Sequence, residues 1–156
     1  MKPEPTQKYY IFYKKENTPF SNFWPAPIEV GKITNSGKSI WPTSEHYFQA
    51  MKFYGIDEDH NNYMEEIRLC SSPGKAYRLG WLRKPSLDWD SIRNEVMKVA
   101  LICKFSQHKY LRDLLKETED MNIIQRCGRD KYWGDGYPGK GENMLGKLLM
   151  EVRGEI

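Results

Sequence analysis

The chain has 156 residues, 39% of them hydrophobic and 29% charged, with a formal net charge of +3. That length fits one compact domain able to bury a substantial core, and the composition excludes a disordered chain. The charge leans towards an anionic ligand and is too small to predict nucleic-acid binding by itself.

No apolar run approaches the roughly 18 residues of a membrane span, and the first residues contain no uninterrupted stretch of signal-peptide length. Cys70, Cys103 and Cys127 are an odd number without C-x-x-C spacing, which argues against a disulfide framework or a zinc site. The expectation is a cytoplasmic protein with no membrane association, with a tail over residues 1–8 and a single domain over 9–156.

In chain order, "KYYIFYKK" from Lys8 is β-prone. "APIEVGKITNSGKSIW", residues 26–41, gives two short extended runs around an Asn-Ser-Gly turn, a hairpin pattern after which sheet content is expected to end. Thr43 or Ser44 starts a helix that runs to about Tyr54, where Gly55 supplies a stop. A second helix is predicted over 57–69, and a short third one is capped by Ser72 and closed by Gly80. "DWDSIRNEVMKVALICKF" is the strongest helix, with Ile92, Val96, Val99, Ala100 and Cys103 as its core stripe. Further helices are predicted over 108–117 and 143–153, the last with Leu145, Leu148, Leu149 and Val152 inward. The glycine-rich "DKYWGDGYPGKGEN" precedes it. The predicted class is α+β, mainly helical with a small N-terminal β element and without βαβ alternation.

The helix beginning near Ser44 carries an unusual feature. At about 100° per residue, Glu45, Gln49 and Lys52 fall within a strip about 60° wide, flanked by Phe48 and Phe53. A solvated outer face is ordinarily broader and more charged, so the strip is expected to line a cleft. The bland alternative is an intrahelical network in which Gln49 bridges Glu45 and Lys52.

Glu45 in the first turn is favoured as the ionised form by the helix N-terminus, which suits a base. Aromatic flanks would desolvate Lys52 and favour the neutral, nucleophilic amine, while Glu45 would hold it protonated; the sequence does not settle that competition.

Two further constellations stand out. In "TPFSNFWPAP", Ser21 and Asn22 offer polar groups beside Phe20, Phe23 and Trp24, a combination suited to a base or ribose, although a structural loop would use the same residues. In "GRDKYWGDGYPGKGENMLGKLLM", Asn143 is expected to cap a helix whose free N–H groups face the loop, with Asp130 for sugar hydroxyls and Trp133 as a platform. Arg83 is a phosphate candidate, although isolated basic residues more often solvate a surface.

Taken together, "PFSNFWPAP", "PTSEHYFQAMKF", "SPGKAYRLG", "DWDSIRNEVM", Lys104–Phe105, "DKYWGDG" and "GENMLGKLLMEVR" resemble, in order, the motifs of the YbiA-like, or NADAR, family. The resemblance implies a largely helical α+β fold and an N-glycosidase without metal or cofactor. The bond cleaved would join ribose C1 to nitrogen in a phosphoribosylated amino-pyrimidine of riboflavin synthesis or in ADP-ribosylated guanine, free or within a nucleic acid.

By motif position Glu45 would be the acid/base and Lys52 the Schiff-base amine, with direct water attack as the alternative route. The expected substrate-binding set is Ser21, Asn22, Phe23, Gln49, Arg83, Trp89, Asp130, Trp133, Gly134 and Asn143. A module that binds ADP-ribose or NAD without cleaving it is the competing reading, because such motifs describe a nucleotide site before they describe turnover.

Overall fold

The computed structural model of the protein describes residues 8–14, 18–31 and 40–156. They form β1 (Tyr9–Tyr13), β2 (Ile28–Glu29), β3 (Ile40–Trp41), α1 (Ser44–Met51), α2 (Glu58–Leu69), α3 (Pro73–Leu82), α4 (Trp89–Gln107), α5 (Lys109–Glu117), β4 (Asn122–Arg126) and α6 (Met144–Glu155). The architecture is the expected mainly helical α+β domain. None of the described helices is long and apolar enough to cross a membrane.

The centre of the molecule is α1. Every residue from Ser44 to Ala50 is buried, because α1 packs against α2, α3 and α4 at once. It starts at Thr43, whose extended backbone (φ −145°) frees its Oγ1 to accept the His46 N–H at 3.2 Å. The far ends of α2 and α1 are tied by His46, whose Nε2 lies 3.2 Å from Cys70 O. Regular helix ends at Met51 rather than Tyr54, and Lys52 is the C-cap in a tightened turn that Gly55 completes at φ +75°.

Sheet content does not end at Trp41. β2 and β3 pair antiparallel, Ile28 opposite Trp41, as the hairpin pattern predicts; its Asn-Ser-Gly turn lies outside the described residues. β1, however, pairs in parallel with β4, Tyr9 opposite Asn122 through Tyr13 opposite Arg126. The sequence hides β4 because its inward positions are Ile123 and Gln125, so a single apolar side chain marks the buried face.

Two helical details also differ from expectation. α3 continues through Gly80 to Leu82, since Gly80 serves a close approach between helices rather than a left-handed stop. In α4 the buried face is Val96, Met97, Ala100, Leu101, Lys104 and Phe105, while Val99 is 38% exposed and Ile92 and Cys103 are half-buried. Met97, Leu101, Lys104 and Phe105 satisfy the same helical spacing as the predicted stripe, and only the neighbours of α4 choose between the two faces.

In α6, Leu145, Leu148, Leu149 and Val152 are buried as predicted, and the helix lies on β4. A Cβ at Gly146 would overlap Ile123 O and the Asn143 side chain. Gly146→Ala is therefore expected to destabilise the fold by about 1–3 kcal/mol through forced separation of α6 from β4, read as a lower urea midpoint with an unchanged slope.

Candidate functional site

The polar strip of α1 faces a cleft. Its walls come from all parts of the chain: Asn22 from the loop after β1, Phe48 from α1, Tyr77 and Trp81 from α3, Met97 from α4, Gln125 from β4, Asp130 and Trp133 from the glycine-rich loop, and Leu145 from α6. Glu45, Gln49 and Lys52 lie on its floor, 3%, 2% and 5% exposed.

Glu45 is held at both ends. Its backbone N–H donates to Asn22 O at 3.2 Å, and its Oε1 accepts from Gln49 Nε2 at 2.8 Å. Gln49 does not bridge to the lysine. Its Oε1 has no hydrogen-bond partner and lies against the Gly80 backbone, where a Cβ would collide with it.

Lys52 turns instead to α3, with Nζ donating to Gly80 O at 3.4 Å and sitting 4.2 Å from the centroid of the Trp81 ring. Burial lowers its pKa from 10.5 to about 8, against the opposing pull of Glu45 and with a smaller push from the nearby charge of Lys14. Desolvation thus wins the competition that the sequence left open.

The other expected binding residues divide into three groups. Asn22, Asp130 and Trp133 reach the cleft. Asn22 is fixed by Ser44 Oγ donating to its Oδ1 at 2.9 Å; Asp130 Oδ1 accepts the N–H groups of Tyr132 and Trp133 at 3.0 and 2.8 Å; and Trp133 stands edge-on to Phe48.

Ser21, Phe23, Trp89, Gly134 and Asn143 lie behind or beside the walls. The Ser21 carbonyl accepts from Lys104 Nζ at 2.8 Å, an amine with no exposed surface whose pKa burial lowers to about 7. Phe23 carries Lys14 over its ring, Trp89 backs Phe48 at 5.1 Å, and Gly134 lets the loop close on Asp130 O and Cys127.

Asn143 makes no side-chain cap. In a left-handed conformation (φ 49°) it staples β4 to α6, accepting from Gln125 N and donating to Ile123 O, both at 2.9 Å. The N–H groups of Asn143, Met144 and Leu145 are taken by carbonyls of Gly134, Tyr132 and Trp133, so the start of α6 offers none of these donors to a phosphate.

Arg83 stands apart from the cleft, paired with Asp59 at 2.8 Å and lying over Tyr63. The sequence reading missed Lys14, Tyr77, Trp81, Met97 and Gln125. Tyr77 and Trp81 follow each other by one helical turn, which is the signal that could have placed them on one wall.

The NADAR domain family model matches residues 11–156. The chain is 49% identical over 139 residues to N-glycosidase YbiA of Escherichia coli (strain K12), an overlap of 88% of this chain and 80% of that one. It is 40% identical over 144 residues to the chloroplastic riboflavin biosynthesis protein PYRR of Zea mays, covering 88% of this chain and 23% of that longer protein. The NMR structure of E. coli YbiA superposes with a TM-score of 0.77 at 42% identity, covering 99% of this chain and 89% of that one. The chain belongs to the NADAR domain family. Its class of activity is that of an N-glycosidase.

Two outcomes follow from the geometry. In Gly80→Ala the new methyl displaces Gln49 from Glu45, and the loss of this charge-assisted hydrogen bond is expected to lower kcat about tenfold with the circular-dichroism spectrum retained. Lys52, whose folded pKa lies below its unfolded value, makes the unfolded chain the tighter proton binder between about pH 8 and 10.5, so its contribution to stability rises with pH across that window. Lys52→Met should therefore be more stable than the parent at pH 7, by at most about 3 kcal/mol, with an advantage that shrinks as urea titrations move from pH 8 to 10.5.

Proposed function

We propose that the cleft hydrolyses the bond between ribose C1 and the amino nitrogen of a phosphoribosylated amino-pyrimidine, with Glu45 as acid/base and Lys52 as the amine that captures C1. The observation that carries this reading is the pairing of a buried carboxylate, oriented by Gln49, with a desolvated lysine whose pKa is about 8, on the floor of one cleft. At pH 7 about a tenth of such a lysine is neutral, against about one part in three thousand for an ordinary one. The likeness to a riboflavin biosynthesis protein supports the pyrimidine over other bases. The three cysteines are free, which fits a reducing compartment and a cytoplasmic site of action.

The chemistry balances without a cofactor. The sugar ring opens as its C1–O bond breaks and the amino N–H proton passes to that oxygen, which leaves an imine between C1 and the pyrimidine nitrogen. Neutral Lys52 Nζ adds to C1, and Glu45 carries the two Nζ protons in turn to the departing nitrogen. The bond between C1 and the pyrimidine nitrogen then breaks with its electron pair on that nitrogen, and a C1–Nζ Schiff base forms. Water, deprotonated by Glu45, adds to C1; the C1–Nζ bond breaks, the aldehyde sugar phosphate leaves and the amine is regenerated. Trp133 and Phe48 supply the apolar wall against which a flat base rests.

The test is mass spectrometry of products from wild type, Glu45→Gln and Lys52→Ala, incubated with a phosphoribosylaminopyrimidine and separately with ADP-ribosylated guanosine, in the presence of borohydride. The expected result is free base from the pyrimidine substrate, a trapped sugar adduct on Lys52 in the wild type, and release reduced about a hundredfold or more in both variants. Release without an adduct would replace the Schiff base by direct water attack, with Lys52 as an electrostatic partner. Cleavage of the guanosine substrate alone would move the assignment to ADP-ribosyl groups. Binding without release from either would overturn the proposal.

A further inference from the structure

Lys14, directly after β1, lines the same cleft, and nothing in the chemistry above uses it. Its Nζ rests 4.1 Å from the centroid of the Tyr77 ring and 5.1 Å from that of Phe23. Tyr77 and Trp81 are one turn apart on α3, with ring centroids 6.2 Å apart, and Lys52 Nζ stands over Trp81. The two rings, tilted by 57° to each other, each carry an ammonium group over one face.

The cations differ in their partners. Lys52 donates to Gly80 O, whereas Lys14 has only ring faces beneath it, and no ion pair among the described residues engages it. The carboxylates of the cleft are already engaged, Glu45 by Gln49 and Asp130 by the N–H groups of its own loop. Ring faces attract an ammonium group without neutralising its charge, and at most part of its three N–H donors is directed at them. Such a cation is a receptor for an anionic oxygen cluster.

We propose that Lys14 receives the phosphoryl group on C5 of the substrate's ribosyl unit, so that the sugar lies beside Tyr77 and Trp81 with its phosphate at Lys14 and its C1 at Lys52. This assignment rests on the reading of Lys52 as the group that meets C1. Both ammonium groups line the one cleft, each over a neighbouring ring of α3, so that one substrate can meet both. Lys14 also has an electrostatic consequence for the reaction. A phosphate dianion by itself would favour the protonated form of Lys52; the Lys14 charge, which already disfavours that form, offsets part of the phosphate's effect.

The experiment compares the phosphoribosylaminopyrimidine with its dephosphorylated nucleoside in wild type, Lys14→Met and Lys14→Arg, reading the ratio of the two kcat/KM values. The ratio cancels any general effect of the substitution on chemistry or folding. The wild type is expected to prefer the phosphorylated substrate, Lys14→Met to lose about ten- to a hundredfold of that preference through KM, and Lys14→Arg to keep most of it.

An equal preference in wild type and Lys14→Met, or no preference in the wild type, overturns the assignment. If the wild type releases base from neither substrate, the reading of the reaction fails and calorimetric titration with ribose 5-phosphate decides the phosphate site separately. Binding weakened in Lys14→Met sustains it; binding equal in the two proteins, or absent from the wild type, overturns it.

Discussion

The site depends on the burial of one short helix that carries both an acid and an amine. Glu45 and Lys52 stand among apolar and aromatic side chains, and a charge removed from water without a partner is costly. The protein resolves the cost differently for each. Glu45 is given hydrogen bonds, from Gln49 to its side chain and from its own N–H to Asn22 O. Lys52 receives a carbonyl and a ring face, and its proton affinity falls accordingly. The same desolvation that makes the helix expensive to bury raises the neutral fraction of the amine.

That arrangement is transmitted through Gly80. At this residue α3 comes close enough for its carbonyl to meet Lys52 and its bare Cα to meet the Gln49 amide. A side chain there would meet the Gln49 amide and displace it from the Glu45 carboxylate. The orphaned Gln49 Oε1 has the same origin. Its Nε2 must face the Glu45 carboxylate, so its oxygen is turned into the interhelical contact.

A second support comes from behind the site. Lys104, with no exposed surface, holds the Ser21 carbonyl and with it the loop that delivers Asn22 to Glu45 and Ser44. On the opposite side Asn143 joins β4 to α6 while the loop carbonyls close over the start of α6, which fixes Asp130 and Trp133 in the cleft wall. Residues that read as ligand contacts in the sequence, Ser21, Gly134 and Asn143 among them, are in the structure the fasteners of that wall.

The sequence by itself determined the α+β class, the extents of most helices to within a few residues, the inward face of α6, and the strip of Glu45, Gln49 and Lys52, because helical periodicity and capping are local and act over a few residues. Tertiary structure decided the rest. The parallel pairing of β1 with β4, the choice between two equally periodic faces of α4, the position of Arg83 outside the cleft and of Lys14 within it, and the outcome of desolvation against Coulomb attraction at Lys52 all depend on which distant segments meet. Burial and dielectric environment are properties of the assembled molecule, and no short window of sequence contains them.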